Sequence, residues 1–202
     1  MTRLQTIRYS VWGAAAFVLL GLAAFYWTSA RVAEPETSAV VTIGGPFALV
    51  ADTGEAITEA DLVGHISLLF FGFTHCPDVC PTAMAEATAW LDELGTDSDG
   101  LVIYFVTVDP TRDTPAAMNA YLSAFHPDIV GLSGSAEAVD QMLDAFHVFR
   151  EQISLADGGY TMNHSAGFYV LDDKGRFIDV IDPNDGHDAA ISEIRSAIAG
   201  GV

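Results

Sequence analysis

Ile66 to Phe71 form an apolar run broken only by Ser67, and it leads straight into Gly72-Phe73-Thr74-His75-Cys76-Pro77-Asp78-Val79-Cys80-Pro81. Such a run suits a strand covered on both faces, which requires packed layers on either side of a sheet. Cys76 and Cys80 are the only two cysteines of 202 residues. A buried strand that ends in a paired-thiol turn and feeds a helix makes a site for a soft metal ion or for a reversible disulfide. Pro81 has no backbone donor and suits a first helical position, which makes Cys80 the expected N-cap of a helix running to about Gly95.

The flanking sequence fills out the layers. Phe47–Val50 and Ala56–Ile57 around Asp52-Thr53-Gly54 read as a small hairpin, and Thr58 as the cap of a short helix closed by Gly64. Leu101 to Val108 is a second buried strand. Thr114-Pro115 opens a helix to about Phe125, a short strand follows near Ile129–Leu132, and Ser135 caps a helix ending around His147. Phe149 to Leu155 reads as extended. Ser165–Leu171 and Phe177–Ile181 form a hairpin around Asp172-Asp173-Lys174-Gly175, and a helix from about Asp188 to Ala199 closes the chain. Strands that alternate with helices and end in a hairpin and helix give an α/β fold with a mixed central sheet.

The N-terminus follows a different rule. Tyr9 to Ala30 carry no charge and are bracketed by Arg8 and Arg31. As a helix this segment is roughly 33 Å long, enough for a bilayer core of about 30 Å, with Trp12 and Tyr26-Trp27 at interfacial depths. A cleaved leader has a shorter apolar region, so a retained transmembrane helix is expected. The division is therefore 1–31 for a cytoplasmic stub and anchor, 32–44 for a linker, and 45–202 for the folded domain. Arg3 and Arg8 precede the span, so the N-terminus is expected in the cytoplasm. The domain then lies in the periplasm or an equivalent extracytoplasmic space, tethered to the inner membrane by a single pass. All 27 acidic residues but only five of the eight basic ones lie at or beyond Glu34, a formal charge of −22. That charge excludes nucleic acid as a partner and keeps the surface hydrated.

A thiolate is both nucleophile and soft ligand, so the site is expected to favour deprotonation, which a helix N-terminus near Cys80 would assist. Thiolates select Cu(I) and Zn, and imidazole admits Cu(II). A closed structural zinc site wants four protein ligands, and two cysteines argue against it. A static disulfide across three residues would constrain little of the unfolded chain. Of six histidines, His164 stands out in Met162-Asn163-His164-Ser165, ahead of the strand Ala166–Leu171. By position alone it reads as a hydrogen-bonded surface residue sooner than as a ligand. His75 follows a strand and is expected to point away from Cys76; His65, His126, His147 and His187 read as caps or solvated groups. Met84 and Met162 read as core, Asp109, Arg112 and Asp113 as a locally salt-bridged loop, and Asp182–Asp188 as a turn and helix cap.

Four ordered blocks carry a resemblance: Gly45-Pro46-Phe47-Ala48-Leu49, Phe71 to Pro81, Val108-Asp109-Pro110-Thr111-Arg112-Asp113-Thr114-Pro115, and Asn163-His164-Ser165 before Tyr169-Val170-Leu171. Together they resemble the Sco/SenC copper chaperones, which help build the copper centre of cytochrome oxidase. The resemblance implies a membrane-tethered, thioredoxin-like fold in which Cys76, Cys80 and His164 hold copper as Cu(I) or Cu(II). The implied partners are the oxidase copper-site subunit or another copper chaperone. Cys76 and Cys80 are also the implied redox pair for reducing a client's cysteines. The alternative function is that of a thioredoxin-like thiol–disulfide oxidoreductase acting on exported clients. The lack of any proline between Gly158 and Val180, where thioredoxins place a cis-proline, weighs against it. Asn163 departs from the family pattern, in which many members carry aspartate before the histidine.

Overall fold

The computed structural model describes residues 3–32, 42–156, 158–182 and 184–200, and these divide into two compact units, up to Val41 and from Thr42 onward. The described part of the first unit is one helix, α1 (Arg3–Val32). Its described side chains, those of 12–14 and 16–27, are exposed. Among the described residues no helix is long and apolar enough to cross a membrane. Most of the linker expected over 32–44 lies outside the described residues.

The second unit is built on a seven-stranded mixed sheet. In chain order its elements are β1 (Ala48–Ala51), β2 (Ala56–Thr58), β3 (Ile66–Gly72), α2 (Val79–Leu94), β4 (Leu101–Thr107), α3 (Pro115–Leu122), β5 (Ile129–Ser133), α4 (Ala136–Ala145), β6 (Arg150–Ser154), β7 (Tyr160–His164), β8 (Phe168–Leu171), β9 (Phe177–Ile181) and α5 (His187–Gly200). The sheet order is β2-β1-β5-β4-β3-β8-β9, with β3, β4 and β5 parallel and the other pairs antiparallel. The mixed α/β sheet expected from the alternation is therefore present.

Every residue of β3 is buried, which is why its sequence has no alternation. Ser67 is the polar exception, fully buried with a hydroxyl that has no hydrogen-bond partner. The helix stops and starts follow their local chemistry: Thr114 and Ser135 accept from the amides of Ala117 and Ala138, and Gly95 closes α2 at φ 51°, where glycine carries no Cβ penalty. Asp61 accepts from both the amide and the hydroxyl of Thr58, which fixes the short 3₁₀ turn Glu59–Leu62.

Two expectations need correction. Helix α2 begins at Val79 with Asp78 as N-cap, so Cys80 lies inside the first turn and Pro81 is the third helical residue. A proline is tolerated there because amides of the first turn have no intrahelical acceptor in any case. His164 does not precede the strand as a loop residue either. It ends β7, which pairs only with β6 in a separate two-stranded sheet, and the next strand starts later, at Phe168. The overlooked signal was Gly158-Gly159 between two extended runs, a glycine pair of the kind that turns hairpins.

Candidate metal centre

The C-terminal end of β3, the first turn of α2 and the end of β7 converge. Cys76 Sγ, Cys80 Sγ and a His164 ring nitrogen all lie within 4.8 Å of one another, and Cys80 Sγ is 3.7 Å from His164 Nε2. They are the one group of three or more such ligands among the described residues. Both cysteines are free; Cys80 is buried and Cys76 half-buried.

Each side chain is placed by its own backbone. The Cys76 amide donates to Phe73 O at 3.2 Å, turning the chain out of β3. The Cys80 amide donates to Cys76 Sγ at 3.4 Å, so the free N–H of the helix start is aimed at the first sulfur rather than at Cys80 itself. Burial pushes the Cys80 thiol well above its ordinary value, and the Cys76 sulfur adds to the effect. Loss of solvation therefore opposes the deprotonation that the helix start was expected to assist. Without a cation beside it, Cys80 stays a thiol at neutral pH, and binding a metal releases its proton.

Room for Cys80 Sγ comes from Gly72. A Cβ built there would lie 2.9 Å from Cys80 Sγ and 2.9 Å from both Phe105 Cε2 and Phe70 Cε1. Gly72→Ala is therefore expected to cost about 1–3 kcal/mol of stability by overpacking and to displace the second sulfur. Chemical denaturation and copper titration of the variant read the two effects.

His164 is oriented by its second nitrogen. Nδ1 lies 2.7 Å from Ser165 O, and a carbonyl only accepts, so Nδ1 carries the ring proton. Nε2 then presents its lone pair to Cys80 Sγ, the arrangement in which metal-bound imidazoles are held by an outer carbonyl. Burial lowers the pKa of His164 from the ordinary 6.5, against the opposing effect of its hydrogen bond to the Ser165 carbonyl. The ring is thereby biased toward its neutral, ligand-ready form. Phe73 packs edge-on to it at 5.8 Å between centroids. Two soft sulfurs and one neutral imidazole suit copper in either oxidation state; they fall short of a closed four-ligand zinc site.

The other sequence candidates lie elsewhere. His75 is exposed and contacts Thr74 and Asp113; His126 faces Asp92 and Asp128, and His187 faces Glu86 and Glu93. Met84 is core and Met162 half-buried. Asn163 is exposed and alternates with His164, so its departure from aspartate falls on the far face of β7. Within Asp182–Asp188, Asp182 accepts from Asn184 as a turn residue should.

Asp113 was underrated by the sequence. It is fully buried and accepts from the amide of Thr74 at 3.0 Å, the hydroxyl of Thr74 at 2.6 Å and the hydroxyl of Thr107 at 2.8 Å. Only Arg112 and Asp109 form the local ion pair expected of this loop.

The SCO1/SenC family model matches residues 35–199. The chain belongs to that family. Among its relatives is the mitochondrial protein SCO2 of Saccharomyces cerevisiae, 35% identical over 210 residues, an alignment that covers 97% of this chain and 69% of the yeast protein. The structure of Bradyrhizobium japonicum ScoI with copper bound is 40% identical, with a TM-score of 0.73 over 77% of this chain and 99% of the other. Yeast Sco1 with copper bound is 34% identical, with a TM-score of 0.72 over 80% of this chain and 91% of the other. The thioredoxin-like architecture of the Sco proteins is thus the architecture of this chain, and copper occurs in relatives that share it.

Proposed function

We propose that this Sco protein is a copper-binding metallochaperone that supplies copper to the copper centre of a respiratory cytochrome oxidase. The observation that carries the reading is the convergence of two free sulfurs and one neutral, carbonyl-oriented imidazole within 4.8 Å. Cu(I), which accepts low coordination by soft donors, is held by Cys76 and Cys80. Cu(II) recruits His164 as well. The partly exposed Cys76 gives a client ligand a route to the metal, while Cys80 and His164 stay behind it.

In the same reading residues 1–31 are a stub and membrane anchor, 32–44 a linker and 45–202 the copper-binding domain. The uncharged run Tyr9–Ala30 supports the anchor, and the charge difference across it supports an extracytoplasmic domain close to its membrane-embedded client.

A second role at the same sulfurs is favoured by the Cys80 amide that donates to the accessible Cys76 Sγ. Cys76 attacks a client disulfide through its sulfur and releases one client thiolate, forming a mixed disulfide. Cys80 then gives up its proton to that thiolate and displaces the second client sulfur, leaving the client reduced and Cys76–Cys80 oxidised. A dithiol copper site must be reduced before it is filled, so the two roles are compatible.

The test is titration of the reduced full chain, in detergent, with Cu(I) and with Cu(II). One equivalent of each is expected to bind. His164→Ala is expected to weaken Cu(II) by more than about a hundredfold, beyond what changes outside the coordination sphere cost, and to leave Cu(I) nearly unchanged. Equal loss of both states would contradict the assigned roles.

A further inference from the structure

The ligand set is divided between two pieces of structure that share no sheet. Cys76 and Cys80 follow β3 of the main sheet, whereas His164 ends a hairpin whose strands pair only with each other. Strand register therefore cannot set the distance from the imidazole to the sulfurs. Other contacts must hold the hairpin: Met162 packs against the core and His164 against Phe73, and most of the hydrogen bonds fall on a single turn.

That turn is Val108–Asp113. Arg112 Nη1 donates to Tyr160 O at 3.0 Å, and its guanidinium lies 3.8 Å from the centroid of the Tyr160 ring and 5.7 Å from that of Phe73. Arg112 Nε donates to Asp109, whose other oxygen accepts from the Tyr160 hydroxyl at 3.0 Å. The first residue of β7 is thereby gripped on its carbonyl, its ring and its hydroxyl. On the partner strand, Arg150 is paired with His164 itself, and its Nη1 donates to Val108 O at 3.0 Å while Nη2 meets Asp140. The same turn ends in Asp113, which holds the amide and hydroxyl of Thr74 at the root of the cysteine loop.

One six-residue turn thus grips both halves of the site. Only five basic side chains lie beyond Glu34 in a strongly acidic chain. Two of them, Arg112 and Arg150, fasten the hairpin here. A lysine in either place would supply charge without the fork that reaches a carbonyl and a carboxylate together, or the flat face that stacks on tyrosine.

We propose that Arg112 and Arg150 are positioning residues that hold the β6–β7 hairpin on the Val108–Asp113 turn and so set the reach of His164 to the sulfur pair, which makes them determinants of Cu(II) binding in particular. This rests on the copper-carrier reading above. Among the described residues no hydrogen bond or ion pair joins either guanidinium to the sulfurs or the imidazole. Cu(I), held by the cysteines alone, is indifferent to the hairpin, whereas Cu(II) needs His164 where the structure puts it.

The test compares full-length wild type with Arg112→Lys, Arg150→Lys and the milder Tyr160→Phe, which deletes only the hydroxyl on Asp109. Two measurements are made on each. Amide hydrogen exchange of the metal-free protein is expected to quicken at 160–164 in both arginine variants while β3 and β4 stay protected. Cu(II) affinity is expected to fall about tenfold, as for other changes just outside a coordination sphere, with altered sulfur-to-Cu(II) absorption and electron paramagnetic resonance parameters and little change for Cu(I). Tyr160→Phe is expected to move the same readouts in the same direction by less, and it guards against an arginine variant that fails to fold. Unchanged exchange and an unchanged Cu(II) spectrum in variants of a wild type that binds copper would overturn this proposal alone. A wild type that takes up no Cu(II) would overturn it together with the copper-carrier reading.

Discussion

Cys80→Ser is expected to abolish binding of both copper states, lowering each affinity by more than about a hundredfold, beyond the ~10–100-fold that outer-sphere changes cost. Cys80 is the shared member of the site: its sulfur lies within 4.8 Å of Cys76 Sγ and 3.7 Å from His164 Nε2. Serine keeps the shape, so the Gly72 niche remains filled and the fold is expected to survive. What is lost is a soft donor, and a neutral hydroxyl does not replace a thiolate toward Cu(I). Competition titration against a chelator of known affinity reads the loss for each oxidation state. Retention of Cu(I) at wild-type strength would mean that Cys80 is not a ligand.

Asp113→Ala has the largest expected effect on the fold. The substitution leaves the amide and hydroxyl of Thr74 and the hydroxyl of Thr107 without their acceptor in a fully buried place. An orphaned buried donor costs about 1–3 kcal/mol, and bonds to a charged group lie toward the upper end. Partial relaxation onto water brings the expected total to about 3 kcal/mol or more. Urea denaturation measures it. The loss should also loosen Thr74, so both copper affinities fall together, unlike the Cu(II)-selective effect of changes at His164. A stability change within about 0.5 kcal/mol, as for an ordinary surface substitution, would remove Asp113 from this account.

Local chemistry made most of the fold legible. The unbroken burial of β3, the Thr114 and Ser135 caps and the Gly95 stop all follow from side chains close to the place where they act. The two sulfurs were legible for the same reason, lying four residues apart. His164 was found as a candidate by its place in the chain, but not the strand that delivers it, because β7 lacks a second strand of the main sheet and the pattern that would come with one. The burial that opposes deprotonation of Cys80 was not legible, because a helix start is readable from Pro81 whereas burial depends on where β3, Phe70 and Phe105 fall. The part played by Asp113 was hidden by sequence distance. Its partner Thr74 is 39 residues away, and nothing in Asp109-Pro110-Thr111-Arg112-Asp113 distinguishes a local ion pair from a long-range brace.

X-ray absorption spectroscopy at the copper edge, on the reduced full chain loaded with one equivalent of Cu(II), reads the coordination sphere directly. The account predicts two sulfur neighbours and at least one imidazole, with the imidazole signal lost in His164→Ala and both sulfurs retained. A first shell of nitrogen and oxygen alone, with Cys76 and Cys80 still reactive toward a thiol reagent, would contradict it.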